Sequence, residues 1–345
     1  MWMKWTAIGG ECTDGPIRGT GVAGRRWLVA GGWLLATGCW SLVESPLPSG
    51  GVPETISLAT PEVEVTIAPG LGGRMLGLAD RRAGRQWLWR NQGVAAAPPP
   101  AGAAYDDVWI GGFEELFPSD APQSIDGWNL PDHGDLWSRS WEVIDRGGGF
   151  VALETVAPSV NSTVRKTIRL ERNRVRLEWS VVSGADRAFP YMFKLHPAIA
   201  VDEFCTIDLP GGLIEQVVPG FGSILGDADG VPWPGPDGAN LERCRPESSG
   251  VNEFVYVREL PAGWCGVTDT RRECSLRLAF DLGDFPYCWL FITYGGWRGH
   301  NVVVLEPCTT HPKDLAIAHQ RRTTPVLEPG QTVEFAVDVV LETTS

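Results

Sequence analysis

The sequence predicts an all-β protein, an antiparallel sandwich or barrel. Three observations predict it. Short runs alternate polar and apolar residues, turn residues separate those runs, and no long amphipathic helix interrupts them. The 42 Gly and 27 Pro are spread along the chain as turn punctuation. A chain of 345 residues with 43% hydrophobic and 21% charged residues can bury a large core.

Residues 1–53 stand apart as an N-terminal extension, and 54–345 form the expected β-domain. In the extension, Arg25-Arg26 precede an apolar run from Trp27 to Gly38 that ends at Cys39. A Ser/Pro/Gly-rich stretch follows. Basic residues, an apolar run and small residues, in that order, match an export signal of the twin-arginine or lipoprotein kind. The run is too short for a stable transmembrane helix. The long lead before the paired Arg, with Glu11 and Asp14 in it, argues for a plain extension instead. We expect a cytoplasmic protein, with export as the alternative.

From Glu54 the strands come in order. Residues 62–68 alternate as Glu-Val-Glu-Val-Thr-Ile-Ala, a half-buried strand. Pro69 to Gly73 turn the chain into a second strand at Arg74 to Leu78. Residues 93–104 are Ala/Pro-rich and read as a flexible surface loop. Further strands are expected at 141–145, 150–155, 163–170 and 174–182, the last two joined through Glu171-Arg172-Asn173 as a hairpin. Residues 221–250 are rich in Gly, Pro and Asp and read as a long excursion, over a binding face or elsewhere. Strands follow at 253–257, 275–280, 288–294, 302–306 and 332–341, with about two helical turns over Lys313 to Gln320.

Composition excludes several functions. The net charge is −13 and Lys occurs only four times, which argues against nucleic acid and anionic membranes as partners. The eight Cys show no CxxC pair, so reduced, buried thiols are expected. No phosphate-binding Gly loop and no nucleophile elbow is present.

Three polar residues sit at strand ends or in Gly/Pro frames. In Phe193-Lys194-Leu195-His196-Pro197, alternation puts Lys194 and His196 on one face. The four apolar residues Val302 to Leu305 mark a strand covered on both faces, and Glu306 ends that run. His133 lies between Asp132 and Asp135, and a carboxylate neighbour can hold its tautomer or raise its pKa. Two imidazoles and a carboxylate are the parts for paired proton transfer near neutral pH. Each also has a plainer reading: a core His, a structural salt bridge, a turn His. Upstream, Trp109 to Pro118 sets Glu114 and Glu115 among aromatics, one to contact substrate and one to be solvated. His300 falls in a turn, and His311 and His319 look exposed. Two His and a Glu can bind zinc, but HExxH spacing is absent and we expect no metal.

These segments resemble the aldose 1-epimerase (galactose mutarotase-like) family over about residues 55–342. Val65 to Leu78 is similar to the family's opening hairpin. Gly111-Gly112-Phe113-Glu114-Glu115-Leu116-Phe117-Pro118 with Asp132-His133-Gly134-Asp135-Leu136-Trp137 looks like its first histidine region. Lys194-Leu195-His196-Pro197 and Leu305-Glu306-Pro307-Cys308-Thr309 look like its second histidine and glutamate strands. The resemblance implies a large antiparallel β-supersandwich with a sugar cleft and an isomerase needing no cofactor. It implies His196 as general acid and Glu306 as general base. His133, Arg74, Lys194, Asp132 and Trp109 would bind substrate. The family's sugar-binding aspartate has no clear match, with Asp237 and Asp269 as candidates. The partner would be a small sugar; the oligomeric state is not indicated. Alternatives are a noncatalytic carbohydrate-binding protein using Trp109 and Trp137, or a glycoside hydrolase pairing Glu306 with Glu114 or Glu115. A phosphosugar would require Arg74 to converge with Arg81 or Arg139.

Overall fold

The computed structural model describes residues 53–343 apart from Asp227. The export features around Arg25-Arg26 and Cys39 lie outside the described residues. The described chain is nearly all antiparallel β, as its alternating runs predict.

One sheet has 11 strands. Along its path run Ile56–Ala59, Val63–Ala68, Arg74–Asp80, Phe113–Leu116, Lys194–Ala200, Asn301–Cys308, Tyr287–Tyr294, Val251–Arg258, Leu213–Gln216 and Val231–Pro232, and the eleventh, Arg85–Gln86, pairs with Arg74–Asp80 off that path. The second sheet has eight, from Cys205–Asp208 through Trp264–Asp269, Cys274–Phe280, Thr332–Thr343, Arg174–Ser183, Ser162–Glu171 and Phe150–Ala157 to Glu142–Gly147. Their apolar faces meet in one core that holds Val164, Ile168, Leu177 and Val337 from the second sheet with Leu195, Val303 and Leu305 from the first. The Ser162–Glu171 strand alternates buried and less buried residues along its length, the period-2 pattern that its sequence carries. The expected hairpin through Glu171 to Arg174 is present, with Arg172 at φ 53°.

Several details differ from the sequence reading. Strands Ile56–Ala59, Phe113–Leu116, Cys205–Asp208 and Trp264–Asp269 are short or interrupted by polar residues, and pairing rather than pattern defines them. The Ala/Pro-rich loop is held down, with Val94 and Ala96 packed on Leu71, Leu76 and Ile110. It runs into a one-turn helix, Tyr105–Val108. The excursion after Val217 is anchored too. Glu253 accepts hydrogen bonds from the amides of Ile224 (3.2 Å) and Leu225 (2.9 Å), and both side chains enter the core. The expected helical turns form as Leu315–Arg321, capped by Asp314, which accepts from the Ile317 amide. His311, expected exposed, is buried between Tyr256 and Tyr287. The six Cys among the described residues are free and buried. Among the described residues no helix is long and apolar enough to cross a membrane.

Candidate functional site

Register across the large sheet builds the site. His196 pairs with Glu114 on the Phe113–Leu116 strand. On its other side the pairs Lys194–Cys308 and Ala198–Val304 bracket it, and stepping two residues from either places His196 opposite Glu306. Glu306 in turn pairs with Trp289. Side chains directly across a sheet share a face. Glu114, His196, Glu306 and Trp289 therefore form one transverse row, on the face away from the second sheet. The neighbouring row carries Ala198, Val304, Phe291 and Phe254.

Covering layers explain the apolar run before Glu306. Val303 and Leu305 enter the inter-sheet core. Val302 and Val304 pack on the outer face against Tyr105, Trp109 and Trp137. A strand sandwiched in this way reads as continuous hydrophobics. Glu306 and His196 lie inside their strands, Asn301–Cys308 and Lys194–Ala200, rather than at the ends expected, and Glu306 is buried at 1% exposure.

Each acid in the row has a partner. Arg74 donates to the Gly111 carbonyl at 3.0 Å and forms an ion pair with Glu114. Tyr105 donates its hydroxyl to Glu114 Oε1 at 2.5 Å. Lys194 Nζ lies 2.6 Å from Glu306 Oε2, pairs with Asp120, and sits 4.2 Å over the Trp289 ring. Glu115 points the other way, into the inter-sheet core, where Lys166 Nζ meets its two oxygens at 2.8 and 3.0 Å. Neither Glu114 nor Glu115 is solvated, which corrects the expectation for one of them.

His196 is central. Its Nδ1 is 3.3 Å from the Tyr105 hydroxyl and its Nε2 is 3.8 Å from Glu306 Oε1. Burial holds its pKa well below the usual imidazole value, and the Lys194 cation acts in the same direction. Burial pushes Glu306 up to about 7, although Lys194 beside it opposes the rise. Burial also acts against the charge on Lys194, but Asp120 and Glu306 outweigh it and leave that pKa raised.

His133 comes to the same place by a turn. Its φ is 55°, and its amide donates to the Asp120 carbonyl at 2.8 Å. Gly134 follows at φ 68°, with a Cβ position only 2.2 Å from the Phe117 carbonyl oxygen, so no other residue fits there. The His133 ring stacks on Tyr105 at 3.7 Å and 8°, and stands 6.3 Å from the His196 ring. Burial works against its protonation, but the 2.9 Å contact from Nδ1 to Asp132 and the charge of Asp120 prevail, so its pKa is raised.

Trp109 packs edge-on to His196 at 5.7 Å, and its buried Nε1 has no hydrogen-bond partner. Trp297, Phe291, Phe254 and Phe221 continue an aromatic strip beside the row, with successive centroids 5.3 to 6.5 Å apart.

Of the residues singled out in the sequence, His196, Glu306, His133, Arg74, Lys194, Asp132 and Trp109 thus gather at one face. Arg74 and Lys194 are committed to carboxylates, and Asp132 is reached through His133. Arg81, on an exposed turn, reaches toward the Thr60 carbonyl. Asp269 is paired with Arg85 and Arg272 in the second sheet, and Asp237 is exposed. Sequence reasoning missed Tyr105 and Asp120. Tyr105 follows a low-complexity stretch with no periodic signal, and Asp120 follows Pro118-Ser119 in a loop. Among the described residues no group of three or more His, Cys, Asp or Glu side chains is arranged to hold a metal ion.

No family model matches the sequence, and no curated protein does. Solved structures do match in fold. A protein from Synechocystis sp. PCC 6803 superimposes with a TM-score of 0.66 at 16% identity, over 86% of this chain and 97% of its own. A galactose mutarotase-like protein from Lactobacillus casei gives 0.62 at 16%, over 84% of this chain and 100% of its own. An aldose epimerase homologue from C. elegans gives 0.60 at 12%, over 85% and 100%. The fold is therefore galactose mutarotase-like, as the sequence resemblance implies.

Proposed function

We propose that this protein is a mutarotase, interconverting the α and β anomers of a free sugar at the His196–Glu306 pair. One observation carries the reading: an imidazole and a carboxylate 3.8 Å apart on adjacent strands, with pKa values displaced toward each other. Such a pair holds one exchangeable proton near neutral pH.

Anomer exchange needs that one proton. The ring oxygen gains a proton as the anomeric hydroxyl loses one, and the ring opens to the aldehyde. The C1–C2 bond rotates, and closure on the other face returns both protons. Near neutral pH the raised Glu306 carries that proton and starts as the acid, while the neutral His196 starts as the base, the reverse of the roles the resemblance implies; the two trade roles between opening and closing. Acid–base assistance of this kind is worth roughly a hundred- to ten-thousand-fold per group.

The surroundings support the chemistry. Lys194 keeps an ionised Glu306 accessible despite its burial. His133, held by Asp132 and partly exposed, is placed to donate to a sugar oxygen. The unpaired Trp109 Nε1 is a further donor, and the aromatic strip suits the apolar face of a pyranose. Arg74 and Lys194 act through Glu114 and Glu306 in this reading, rather than on the sugar directly.

Polarimetry of freshly dissolved α-anomers, across hexoses, pentoses and hexose 6-phosphates, tests the reading. The wild-type chain should speed equilibration of at least one sugar, and a folded His196→Asn variant should lose most of that effect. Equal rates for the two proteins would refute it.

A further inference from the structure

The Tyr105 hydroxyl bridges two groups that the mutarotase chemistry leaves unconnected. It donates to Glu114 Oε1 at 2.5 Å, and the other oxygen of that carboxylate is occupied by Arg74. A phenol has one proton. With that proton directed at Glu114, only oxygen lone pairs remain toward His196 Nδ1, 3.3 Å away. Nδ1 must then be the nitrogen that carries hydrogen in the neutral ring. Nε2, facing Glu306, is left with a free lone pair.

We infer that Tyr105 is a positioning residue that fixes His196 in its Nδ1–H tautomer and so aims Nε2 at the reacting proton. The Arg74–Glu114 ion pair sets the direction of the chain by making Glu114 an acceptor. Three further features fit the assignment. Tyr105 is 2% exposed and has no room to turn away. Burial, with Glu114 next to it, holds its pKa well above the phenol range, so the hydroxyl keeps its proton. Its ring also stacks on His133, so the same side chain orients both histidines. The Ala/Pro-rich strap before it, fastened by Val94 and Ala96, delivers it there.

The kinetic part of this inference rests on the mutarotase reading; the tautomer part does not. The test is therefore nitrogen NMR of the full chain labelled with 15N-histidine, with the His196 signals assigned by their loss in His196→Asn. At a pH where the ring is neutral, the wild-type protein should show a protonated Nδ1 and a bare Nε2. Tyr105→Phe keeps the stacked ring and removes the hydroxyl, so the Nε2–H tautomer should appear. Where the wild-type protein accelerates anomer exchange, the same variant should lose about ten- to a hundredfold in kcat with KM changed less than about twofold. If Tyr105→Phe does not fold, Glu114→Gln frees the phenol proton for Nδ1 and should produce the same switch. A wild-type ring with hydrogen on Nε2, or an unchanged Nδ1–H signal in a folded variant, would overturn the assignment. A correct tautomer in a protein that exchanges no anomers would sink the mutarotase reading and leave the hydrogen-bond chain standing.

Discussion

Removing the Lys194 ammonium should drive Glu306 further from the carboxylate range. The two groups are 1% exposed each, with Nζ 2.6 Å from Oε2. Burial already lifts Glu306 to about 7 with the cation present. At that separation a unit charge pair interacts by about 1.6 kcal/mol in a water-like medium and about 6 kcal/mol at an effective dielectric of 20. One pKa unit corresponds to about 1.4 kcal/mol. Lys194→Met should thus raise the Glu306 midpoint by at least about one unit, and the Asp120 carboxylate left behind adds to the rise. The substitution also strands two buried acids, which costs about 3–5 kcal/mol of stability. A melting curve is needed alongside, and Lys194→Met with Asp120→Asn is the gentler variant. The assay is a pH titration of 13C-carboxyl-labelled glutamate, with the Glu306 resonance assigned by its loss in Glu306→Gln. A midpoint at or below that of the wild-type protein, in a folded Lys194→Met variant, would refute the electrostatic argument.

Other expectations follow from the same geometry. Anomer exchange should slow as pH rises through about 7, because Glu306 then gives up the only proton on the pair while His196 is neutral; a pH–rate profile flat from 6 to about 9 would contradict this. Glu115→Ala should destabilise the fold by about 3–5 kcal/mol in urea titrations, since it strands Lys166 between the sheets. Glu115→Leu with Lys166→Met should recover much of that loss. Trp109→Phe keeps the aromatic wall but removes the unpaired indole N–H. Sugar affinity should fall about fivefold by calorimetry, the equivalent of one hydrogen bond of about 1 kcal/mol, and unchanged affinity would mean the N–H never meets the sugar.

Local rules made much of the fold readable. Alternation located the Ser162–Glu171 and Arg174–Ser183 strands, and the four apolar residues before Glu306 marked a strand covered on both faces. The same rule, applied to Phe113–Leu116, would have split Glu114 from Glu115, because adjacent strand residues face opposite ways. The neighbouring aromatics and glycines hid that four-residue strand. Partners across the sheet were out of reach. That Glu114 lies beside His196, or that Lys194 answers to Asp120, depends on long-range register, which no local pattern encodes. Tyr105 was the least legible, since a one-turn helix after an Ala/Pro-rich stretch carries no periodicity. Asp120 hid in a loop, and only its burial against Lys194 marks it.

The most direct test of the account is magnetisation-exchange NMR on residues 1–345, comparing the wild-type protein with Glu306→Gln on the sugar that polarimetry selects. The account predicts α–β cross-peaks that build up faster with the wild-type protein than in buffer, and fall back to the buffer rate with Glu306→Gln while that variant still binds the sugar. Acceleration that survives in Glu306→Gln, or a wild-type protein that binds sugar without speeding exchange, would contradict it.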